Sequence, residues 1–265
     1  MTGGEETYGL TKRPILQTMQ GELLVSTIIP VYNGERYLAD AIESVLAQRH
    51  RPIEIAVVDD GSTDGTAEIA KRFKGSIRYT YQPNRGVATA RNEGLKVAKG
   101  DVIGFLDADD LWPEGKLEVQ LGYLVDNPST EVVIGQVQFS RVSGGEAGAP
   151  VFSTYAEPFV STNLGSALFR RSAFDRIGLF DEGMAYNEDT DWFMRARECS
   201  VSMVVLDEVA LIYRIHQQNM IRFKSERDRY FARALKMSLD RRRKAGQDAA
   251  TDLPPLSRPS RAGDG

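Results

Sequence analysis

Short apolar, β-branched runs alternate with amphipathic stretches through the first half of this 265-residue chain. The runs predict strands at residues 23–30, 53–58, 77–82 and 102–106. In the intervening and following stretches, apolar residues recur at helical spacing and predict helices at residues 37–48, 66–73, 87–98 and 113–125. Strands that alternate with helices of this length are typical of βαβ crossovers, so we expect a mostly parallel central sheet.

The second half of the chain has a less regular pattern. It predicts strands at residues 131–139, 163–169, 201–206 and 210–214, and helices at residues 171–177, 189–198 and 225–244. Residues 143–150 are small and flexible and predict a loose connection. We therefore expect an α/β protein in which a half of the nucleotide-binding type precedes an α+β half within a single compact domain.

Composition changes at both ends of the chain set the expected boundaries. We expect a flexible lead-in at residues 1–21, the folded domain at 22–221, a basic helix at 222–244 and a disordered tail at 245–265. The tail is rich in Pro, Gly, Ser and Asp and has almost no large apolar residue, which is the composition of segments that cannot form a core.

Charge and cysteine content exclude several classes of protein. The hydrophobic share of 42% and charged share of 26% are ordinary for a globular chain. A single cysteine excludes an internal disulfide and fits a reducing compartment, and the first residues lack the pattern of a signal peptide. The net charge of −4 argues against nucleic-acid binding. We expect a cytoplasmic protein.

The basic helix departs from this overall charge. Residues 222–244 carry ten Lys and Arg against three Asp and Glu, a net charge of +7 that leaves −11 for the rest of the chain. Phe231, Leu235 and Leu239 recur at i, i+4 and i+8. Either this apolar stripe packs on the body while the charges are solvated, or the helix makes a peripheral contact with the inner face of an anionic membrane.

Carboxylates gather where two predicted strands end, at the sequences Asp59-Asp60-Gly61-Ser62-Thr63-Asp64-Gly65 and Asp107-Ala108-Asp109-Asp110. In open parallel sheets, ligands bind beyond the carboxyl ends of the strands. Asp107 and Asp109 are two residues apart, so extended backbone would place both side chains on one side. A hard divalent cation would relieve their repulsion. The alternative, that the aspartate caps the next helix, stays open for Asp64.

The usual phosphate-binding loops are missing. Neither G-x-x-x-x-G-K-[ST] nor a G-x-G-x-x-G after the first strand occurs, which argues against a P-loop NTPase and a dinucleotide oxidoreductase. An acidic pocket can still bind a nucleotide diphosphate through a divalent cation that bridges phosphate and carboxylate. The pattern therefore suggests group transfer from a nucleotide-activated donor.

Two further candidates lie in the second half. Asp189 comes at the start of a predicted helix and could accept a proton as a general base. An acidic first turn that complements the helix dipole is the alternative, which spacing alone favours. His216 is one of two histidines, and a lone histidine is more often structural than a ligand.

The ordered set of motifs resembles the family 2 glycosyltransferases. The matching sequences are Val25-Ser26-Thr27-Ile28-Ile29-Pro30-Val31-Tyr32-Asn33, Val57-Val58-Asp59-Asp60-Gly61-Ser62-Thr63-Asp64-Gly65-Thr66, Asn84-Arg85-Gly86, Ala90-Arg91-Asn92, Asp107-Ala108-Asp109-Asp110, Phe180-Asp181-Glu182, Glu188-Asp189-Thr190-Asp191 and His216-x-x-Asn219. The resemblance covers residues 25–220. It implies a GT-A fold, with a Rossmann-like nucleotide half and an acceptor half, and sugar transfer from a nucleotide-sugar with inversion at the anomeric carbon.

The resemblance also implies roles for individual residues. The nucleotide-binding residues would be Pro30 and Tyr32 at the base pocket, Asp60 at the base edge, Arg91 near the nucleotide and Asp107 at the ribose. Asp109 would bind a divalent metal, Mn²⁺ or Mg²⁺, and His216 would lie near the metal and diphosphate. Asp189 would be the general base, which reverses the interpretation from spacing. The resemblance favours a UDP-sugar as donor, with GDP- and dTDP-sugars open. The acceptor is open: a glycan, a lipid-linked sugar or a peptide.

The sequence also departs from parts of this family. The Gln-x-x-Arg-Trp motif of the polymerising members and their membrane helices are absent, which favours an enzyme that adds one or a few sugars. The alternative function is a catalytically inactive module that binds sugar-nucleotides or a partner on the same fold. A sugar-nucleotide pyrophosphorylase would need a Gly-rich basic loop after the first strand, which Asn33-Gly34-Glu35-Arg36 does not supply.

Overall fold

The computed structural model describes residues 23–144, 150–154, 156–216, 224–246 and 256–259. The predicted lead-in, Asn219 and most of the predicted tail lie outside these residues. Among the described residues, nine strands form one sheet, which confirms the expected mixed α/β class.

The first half alternates strictly between strands and helices. The strands are β1 (Val25–Val31), β2 (Ile53–Asp60), β3 (Arg78–Gln82) and β4 (Val102–Phe105), and the helices are α1 (Leu38–Leu46), α2 (Thr66–Arg72), α3 (Val87–Val97) and α4 (Lys116–Asp126). The four strands are parallel in the order β3-β2-β1-β4. All seven residues of the central strand β1 are buried, because helices cover both faces of the sheet.

The second half extends the same sheet. Its strands are β5 (Val132–Gly144), β6 (Pro150–Thr154), β7 (Phe159–Val160), β8 (Ala167–Arg170) and β9 (Met203–Ile215), and its helices are α5 (Arg171–Ile177), α6 (Glu188–Glu198) and α7 (Lys224–Lys244). Strand β8 pairs antiparallel with both β4 and β5 and so joins the halves. Strand β9 runs parallel to β5.

Four predicted elements of the second half are wrong in part. Residues 201–206 and 210–214 belong to one strand, β9, whose pairing with β5 shifts register near Gln136 instead of breaking at a turn. Residues 164–166 form a 3₁₀ turn before β8. The predicted loose connection begins and ends inside two paired strands, β5 and β6.

Two cores cover the two faces of the sheet. Ile29 and Val31 of β1 face a core that includes apolar residues of α1 and α4. Ile28 faces the other core, which holds the aromatic side chains of β4, β8, α5 and α6. Trp192 of α6 is fully buried there, at a ring-centroid distance of 5.3 Å from Phe169. This packing holds the start of α6 near the carboxyl end of β4.

The outer face of α7 contradicts one of the two interpretations of the basic helix. Phe231 and Leu235 are 44% and 41% exposed, so the predicted apolar stripe does not pack on the body. The smaller Ala234 and Ser238 are the buried residues of this helix. None of the helices in the described part of the chain combines the length and apolar character that crossing a membrane requires.

Part of the predicted tail is ordered along the sheet. Ser257 accepts a hydrogen bond from the Val205 N–H and donates to the Met203 carbonyl, at 2.9 and 3.2 Å. Leu256 packs against the core that contains α6. Leu256 and Ser257 therefore hold this short segment against β9 and the core, while the disorder of residues 245–265 as a whole stays a prediction.

Candidate active site

The carboxyl ends of β1, β2 and β4 meet at one edge of the sheet because these strands are parallel. Strand β2 ends on Asp59 and Asp60, and β4 leads into Asp107 and Asp109. The topology therefore brings the two acidic motifs to the same edge, as the strand pattern predicts.

The loop after β2 is closed by its own carboxylates. Asp59 accepts hydrogen bonds from the Ser62 N–H at 2.8 Å and from the Tyr79 hydroxyl at 2.6 Å. The backbone of Gly61 has a φ of +83°, and a Cβ there would lie 2.6 Å from the Asn84 nitrogen. Glycine thus lets the loops after β2 and β3 approach each other closely.

Asp60 is buried and holds the loop that leads into α3. One carboxylate oxygen accepts from the Gln82 amide at 2.6 Å and the Arg85 N–H at 2.9 Å, and the other accepts from the Gly86 N–H at 2.8 Å. Three accepted hydrogen bonds leave acceptor capacity on the second oxygen, since a carboxylate offers about four lone-pair sites.

Asp64 fixes the start of α2. Its carboxylate accepts from the backbone N–H and hydroxyl of Thr66, and from the Glu35 N–H at 3.0 Å. Although burial raises its pKa, these hydrogen bonds outweigh that effect and lower the pKa below the ordinary value. Asp64 precedes the N-cap residue Gly65 and so is not itself the cap of α2, but its contacts are local and hold the loop that leads into this helix.

Residues 107–110 form a turn and not extended backbone, which corrects one premise of the metal prediction. The Asp110 N–H donates to the Asp107 carbonyl at 3.0 Å. Asp107 accepts from Arg91 at 2.7 Å, whereas Asp109 lies 3.0 Å from the His216 ring nitrogen. The two carboxylates therefore have different partners, which come from α3 and from the end of β9.

Arg214 of β9 holds this acidic turn in place. Its guanidinium donates to the carbonyls of Asp109 and Tyr37 and forms an ion pair with Asp40 at 2.6 Å. Its backbone N–H donates to the Asp110 carboxylate at 2.9 Å. The side chain is only 1% exposed, so the turn, α1 and β9 are joined by one buried cation.

Asp110 is the most deeply buried carboxylate of the turn. Burial raises its pKa well above the ordinary value, and the neighbouring charges of Asp109 and Asp107 act in the same direction. The Arg214 contacts oppose this effect. The acidic turn is thus a place where negative charge is concentrated and where a cation would be stabilised.

His216 completes this end of the site. Its Nε2 is 3.0 Å from the Asp109 carboxylate, and its ring stacks on Tyr37 at a centroid distance of 4.5 Å. Because a carboxylate only accepts hydrogen bonds, Nε2 carries the proton in this contact. The stack and the bond together orient the imidazole toward Asp109.

Arg91 links the acidic turn to the start of α6. Its guanidinium donates to Asp107 at 2.7 Å and to Glu188, and both Arg91 and Glu188 are buried. Burial lowers the pKa of Arg91, but Asp107, Glu188 and Asp189 outweigh it and keep the guanidinium charged. Its Nε is buried and has no hydrogen-bond partner among the described residues.

Three carboxylates therefore share one buried cation. Burial raises the pKa of Glu188 and of Asp189, and the charge of Asp107 adds to both effects, whereas Arg91 lowers both. Asp189 is partly exposed and accepts hydrogen bonds from the N–H and hydroxyl of Thr190, at 2.6 and 3.3 Å. It is a carboxylate of raised pKa at the rim of the site, which suits a general base.

The two residues predicted at the base pocket lie at the end of β1 and just after it. Pro30 is buried in β1, opposite Val58, and Tyr32 is 55% exposed in the loop that follows. An exposed aromatic ring beside the acidic edge is available to stack on a planar ligand.

The sequence analysis gave no role to Arg214, Glu188, Tyr37 or Asp40, although Glu188 belongs to a matching motif. Arg214 lies two residues before His216 in a strand whose neighbours are mostly apolar, and a charged residue in such a strand was the available signal. Tyr37 and Asp40 gave no signal, because their role depends on contacts with β9.

Among the described residues, no group of three or more His, Cys, Asp and Glu side chains is arranged to hold a metal ion. Asp109 and His216 form a pair of ligating types. Mg²⁺ and Mn²⁺ are commonly bound through one or two carboxylates together with substrate phosphates, so a two-residue set fits such an ion when a diphosphate supplies the remaining oxygens.

The fold has solved counterparts. S. aureus TarS (residues 1–349), solved with UDP-GlcNAc, has a TM-score of 0.63 and 22% identity over 82% of this chain and 65% of that chain. The mannosyltransferase PcManGT of Pyrobaculum calidifontis, solved with GDP-Man and Mn²⁺, has a TM-score of 0.62 and 18% identity over 87% and 66% of the respective chains. These similarities confirm the GT-A fold expected from the sequence.

Sequence comparison gives the family. The profile of Glycosyl transferase family 2 matches residues 26–178, which is more than half of the chain. An uncharacterized glycosyltransferase of Rickettsia typhi is 38% identical over 207 residues, 73% of this chain and 64% of that relative. The chain belongs to glycosyl transferase family 2, as the motifs predict, and spans 64% of the length of this relative.

Proposed function

We propose that this glycosyltransferase moves a sugar from a UDP-sugar to an acceptor hydroxyl in a single displacement that inverts the anomeric carbon. The observation that carries the proposal is the position of Arg91, which binds Asp107 of the acidic turn and lies between that turn and Asp189 of α6. One guanidinium thus joins the proposed donor side of the site to the proposed base.

The donor side is assigned to the edge formed by β1, β2 and β4. Tyr32 would stack on the base above Pro30, and the remaining acceptor capacity of Asp60 would take a base N–H. Asp107 would accept from a ribose hydroxyl while Arg91 holds it in place. Support for UDP comes from the TarS structure with UDP-GlcNAc, although PcManGT was solved with GDP-Man.

A divalent cation, Mn²⁺ or Mg²⁺, would be held by Asp109 and His216. When bound, such an ion stabilises the negative charge that develops on the leaving diphosphate. The pair fits a cation because a hydrogen bond now joins the Asp109 carboxylate to the His216 imidazole. A metal ion held by both side chains would take the place of the proton in that bond. PcManGT with Mn²⁺ supports the same choice of ion.

Asp189 would remove the proton from the acceptor hydroxyl as that oxygen attacks. Its Oδ1 is occupied by Thr190, so we assign the proton to Oδ2. A raised pKa strengthens the base. The C–O bond to the sugar forms as the bond to the diphosphate breaks on the opposite face, which inverts the centre without a covalent intermediate.

The alternative is a catalytically inactive module that binds sugar-nucleotides or a partner on the same fold. Asp107 pairs with Arg91, Asp109 lies in the same turn as Asp107, and the charge of Arg91 acts on Asp189. This arrangement argues against the loss of activity. The acceptor stays open between a glycan, a lipid-linked sugar and a peptide.

A panel of nucleotide-sugars, each assayed with and without Mn²⁺ for release of the nucleotide diphosphate, tests the function. We expect slow, Mn²⁺-dependent release from a UDP-sugar even without acceptor. Release that is fastest from a GDP- or dTDP-sugar would overturn the nucleotide assignment. Tight binding of a nucleotide-sugar with no release from any donor would favour the inactive module.

A further inference from the structure

Helix α7 presents an unusual outer surface. Phe231 and Leu235 are adjacent on one exposed face, 44% and 41% exposed, although smaller residues of the same helix are buried. Helical spacing places the partly exposed Leu239 one turn further along the same stripe. In this helix the large apolar residues face outward, which is the reverse of ordinary packing on a core.

Basic side chains flank this apolar stripe. At 100° per residue, Arg229, Lys236 and Arg243 lie together on one side of it, and all three are exposed. Arg243 also pairs with Asp240 at 3.9 Å, so Arg229 and Lys236 carry most of the net positive charge of this flank. Residues 222–244 carry a net charge of +7, while the rest of the chain carries −11. An exposed apolar stripe beside a cationic flank is the pattern of a helix that lies in the interface of a membrane.

The inner face of α7 explains why the stripe points outward. Arg241 forms ion pairs with Glu198 at 2.7 Å and with the buried Asp191 at 3.0 Å. The Asn187 side chain donates to the Arg227 carbonyl at 2.8 Å. These contacts fix the rotation of α7 against α6, so the outward orientation of the stripe is set by the fold.

We propose that the outer face of α7, formed by Phe231, Leu235, Leu239, Arg229, Lys236 and Arg243, binds the surface of an anionic lipid membrane. The charge of this face complements anionic headgroups, and the apolar stripe would enter the headgroup region. Because α7 packs on α6, which begins with Glu188 and Asp189, this contact holds the acceptor side of the site beside the membrane. The proposal is independent of the donor chemistry.

A second copy of the chain is a weaker candidate for the occupant of this face. Two copies that met through it would bring two cationic flanks together. Each aromatic side chain buries about 150–250 Å² at most, and a stable protein–protein interface buries about 1,200–2,000 Å² in total. Two large exposed side chains supply only a small part of that area.

The test is co-sedimentation of the full chain with vesicles of phosphatidylglycerol and phosphatidylcholine, or of phosphatidylcholine alone, at low and high salt. Each basic residue near an anionic leaflet contributes about fivefold to partitioning. The triple variant R229S/K236S/R243S should therefore bind the anionic vesicles about 100-fold more weakly. High salt should weaken binding of the unmodified protein, since the screening length falls to about 3 Å at 1 M.

Two control variants separate this face from charge and apolar content in general. The triple variant R72S/K74S/K99S removes three exposed basic residues of the body and should leave binding within about threefold. The double variant F231S/L235S should lose binding, whereas V119S/V125S, which removes two exposed valines of α4, should retain it.

Equal and negligible sedimentation on both vesicle types at low salt would overturn the proposal. So would equal losses in R229S/K236S/R243S and R72S/K74S/K99S, since binding would then follow net charge alone. Light scattering that shows a dimer abolished by F231S/L235S would assign the face to a second copy instead. Diphosphate release without vesicles should be unchanged in R229S/K236S/R243S, which separates this result from a failure of the proposed reaction.

Discussion

The two halves of the sheet build the candidate site in different ways. In the first half, carboxylates at strand ends are held by residues of the next strand in the chain. Asp59 and Tyr79 are 20 residues apart, and Asp60 and Gln82 are 22 apart. In the second half the contacts are remote. His216 reaches Asp109 across 107 residues, and Glu188 reaches Arg91 across 97.

This difference indicates a division of labour. The loops after β2 and β3 close on themselves, so the proposed nucleotide-base pocket depends little on the second half. The turn at residues 107–110 lies in the first half but is positioned by Arg214, His216 and Arg91, and the last of these is bound to α6. The proposed metal binding and sugar transfer at that turn therefore depend on both halves of the sheet.

The largest effect is expected when the proposed base is removed from the second half. Asp189→Asn is nearly isosteric but cannot accept the proton. Turnover to acceptor should fall on the order of 10²–10⁴-fold, the usual contribution of a general base. Steady-state assays at saturating donor measure the change, and Asp175→Asn, an exposed carboxylate of α5, is the matched control. Turnover of D189N within about threefold of the unmodified enzyme would exclude Asp189 as the base.

The buried ion pair between the halves should contribute strongly to stability. Arg91→Met leaves Glu188 and Asp107 without their cation and should lower the free energy of unfolding by about 3–5 kcal/mol, as for other broken buried pairs. Urea denaturation measures this loss. The double variant R91M/E188Q should recover part of it, because one buried charge is removed.

An exposed pair provides the comparison for that measurement. Arg49 and Glu114 are each about three-quarters exposed, so Arg49→Gln should change the free energy of unfolding by less than about 1 kcal/mol. If R49Q and R91M lower the free energy of unfolding by similar amounts, the buried pair between the halves stabilises the protein no more than an exposed pair does.

A smaller effect is expected at the metal-side histidine. His216→Asn should raise the Mn²⁺ concentration needed for half-maximal diphosphate release by about tenfold, the lower end of the usual range for residues that support a metal site. His50→Asn is the control, since His50 contacts the Leu23 carbonyl away from the acidic turn. If both variants respond to Mn²⁺ as the unmodified enzyme does, His216 has no part in metal binding.

The smallest effect concerns pH. Burial and Asp107 raise the pKa of Asp189, and a base must be deprotonated, so turnover should be lost as pH falls through a value above the ordinary aspartate pKa of about 3.9. Thr190→Val removes a hydrogen bond that lowers this pKa and should move the acidic limb upward by less than about one pH unit. A limb that moves downward in T190V would contradict the assigned contact.

Most strands and helices of the first half were predictable because the strands are continuous apolar runs and the helices carry apolar residues at helical spacing. The runs at β1, β2 and β4 are buried on both faces and the helices are amphipathic. In β9, Asp207 and Glu208 resemble a turn, yet they are exposed residues in a strand that continues past a register shift. Two adjacent polar residues give the same sequence pattern in a turn and in an exposed part of an edge strand.

Hydrophobic spacing alone left two interpretations of the apolar stripe of α7, packing on the body or contact with a membrane. This stripe is the obvious packing surface, but Ala234 and Ser238 allow a close approach to α6, and Arg241 finds Asp191 and Glu198 there. The ion pairs of Arg241 set the rotation of α7 about its own axis. Their acidic partners lie about 50 residues away in the chain, so no local pattern indicates them.

The sequence predicts which residues belong to the site but not which contacts hold them in place. The motifs identify Asp60, Asp109 and Asp189 through the family resemblance, and the topology brings the acidic motifs to one edge. The partners that orient them, such as Arg214 and Glu188, lie about 100 residues away from the groups they hold. No local spacing carries that information, because strand pairing between β4, β8 and β5 creates the proximity.

Calorimetry of UDP binding with and without Mn²⁺ tests the division of labour most directly, with the unmodified enzyme, D109A and D189N measured side by side. We expect Mn²⁺ to tighten UDP binding in the unmodified enzyme and in D189N to within about threefold of each other, and we expect D109A to lose this gain. Equal UDP affinity with and without Mn²⁺ in all three proteins, or a loss in D189N as large as in D109A, would contradict this expectation.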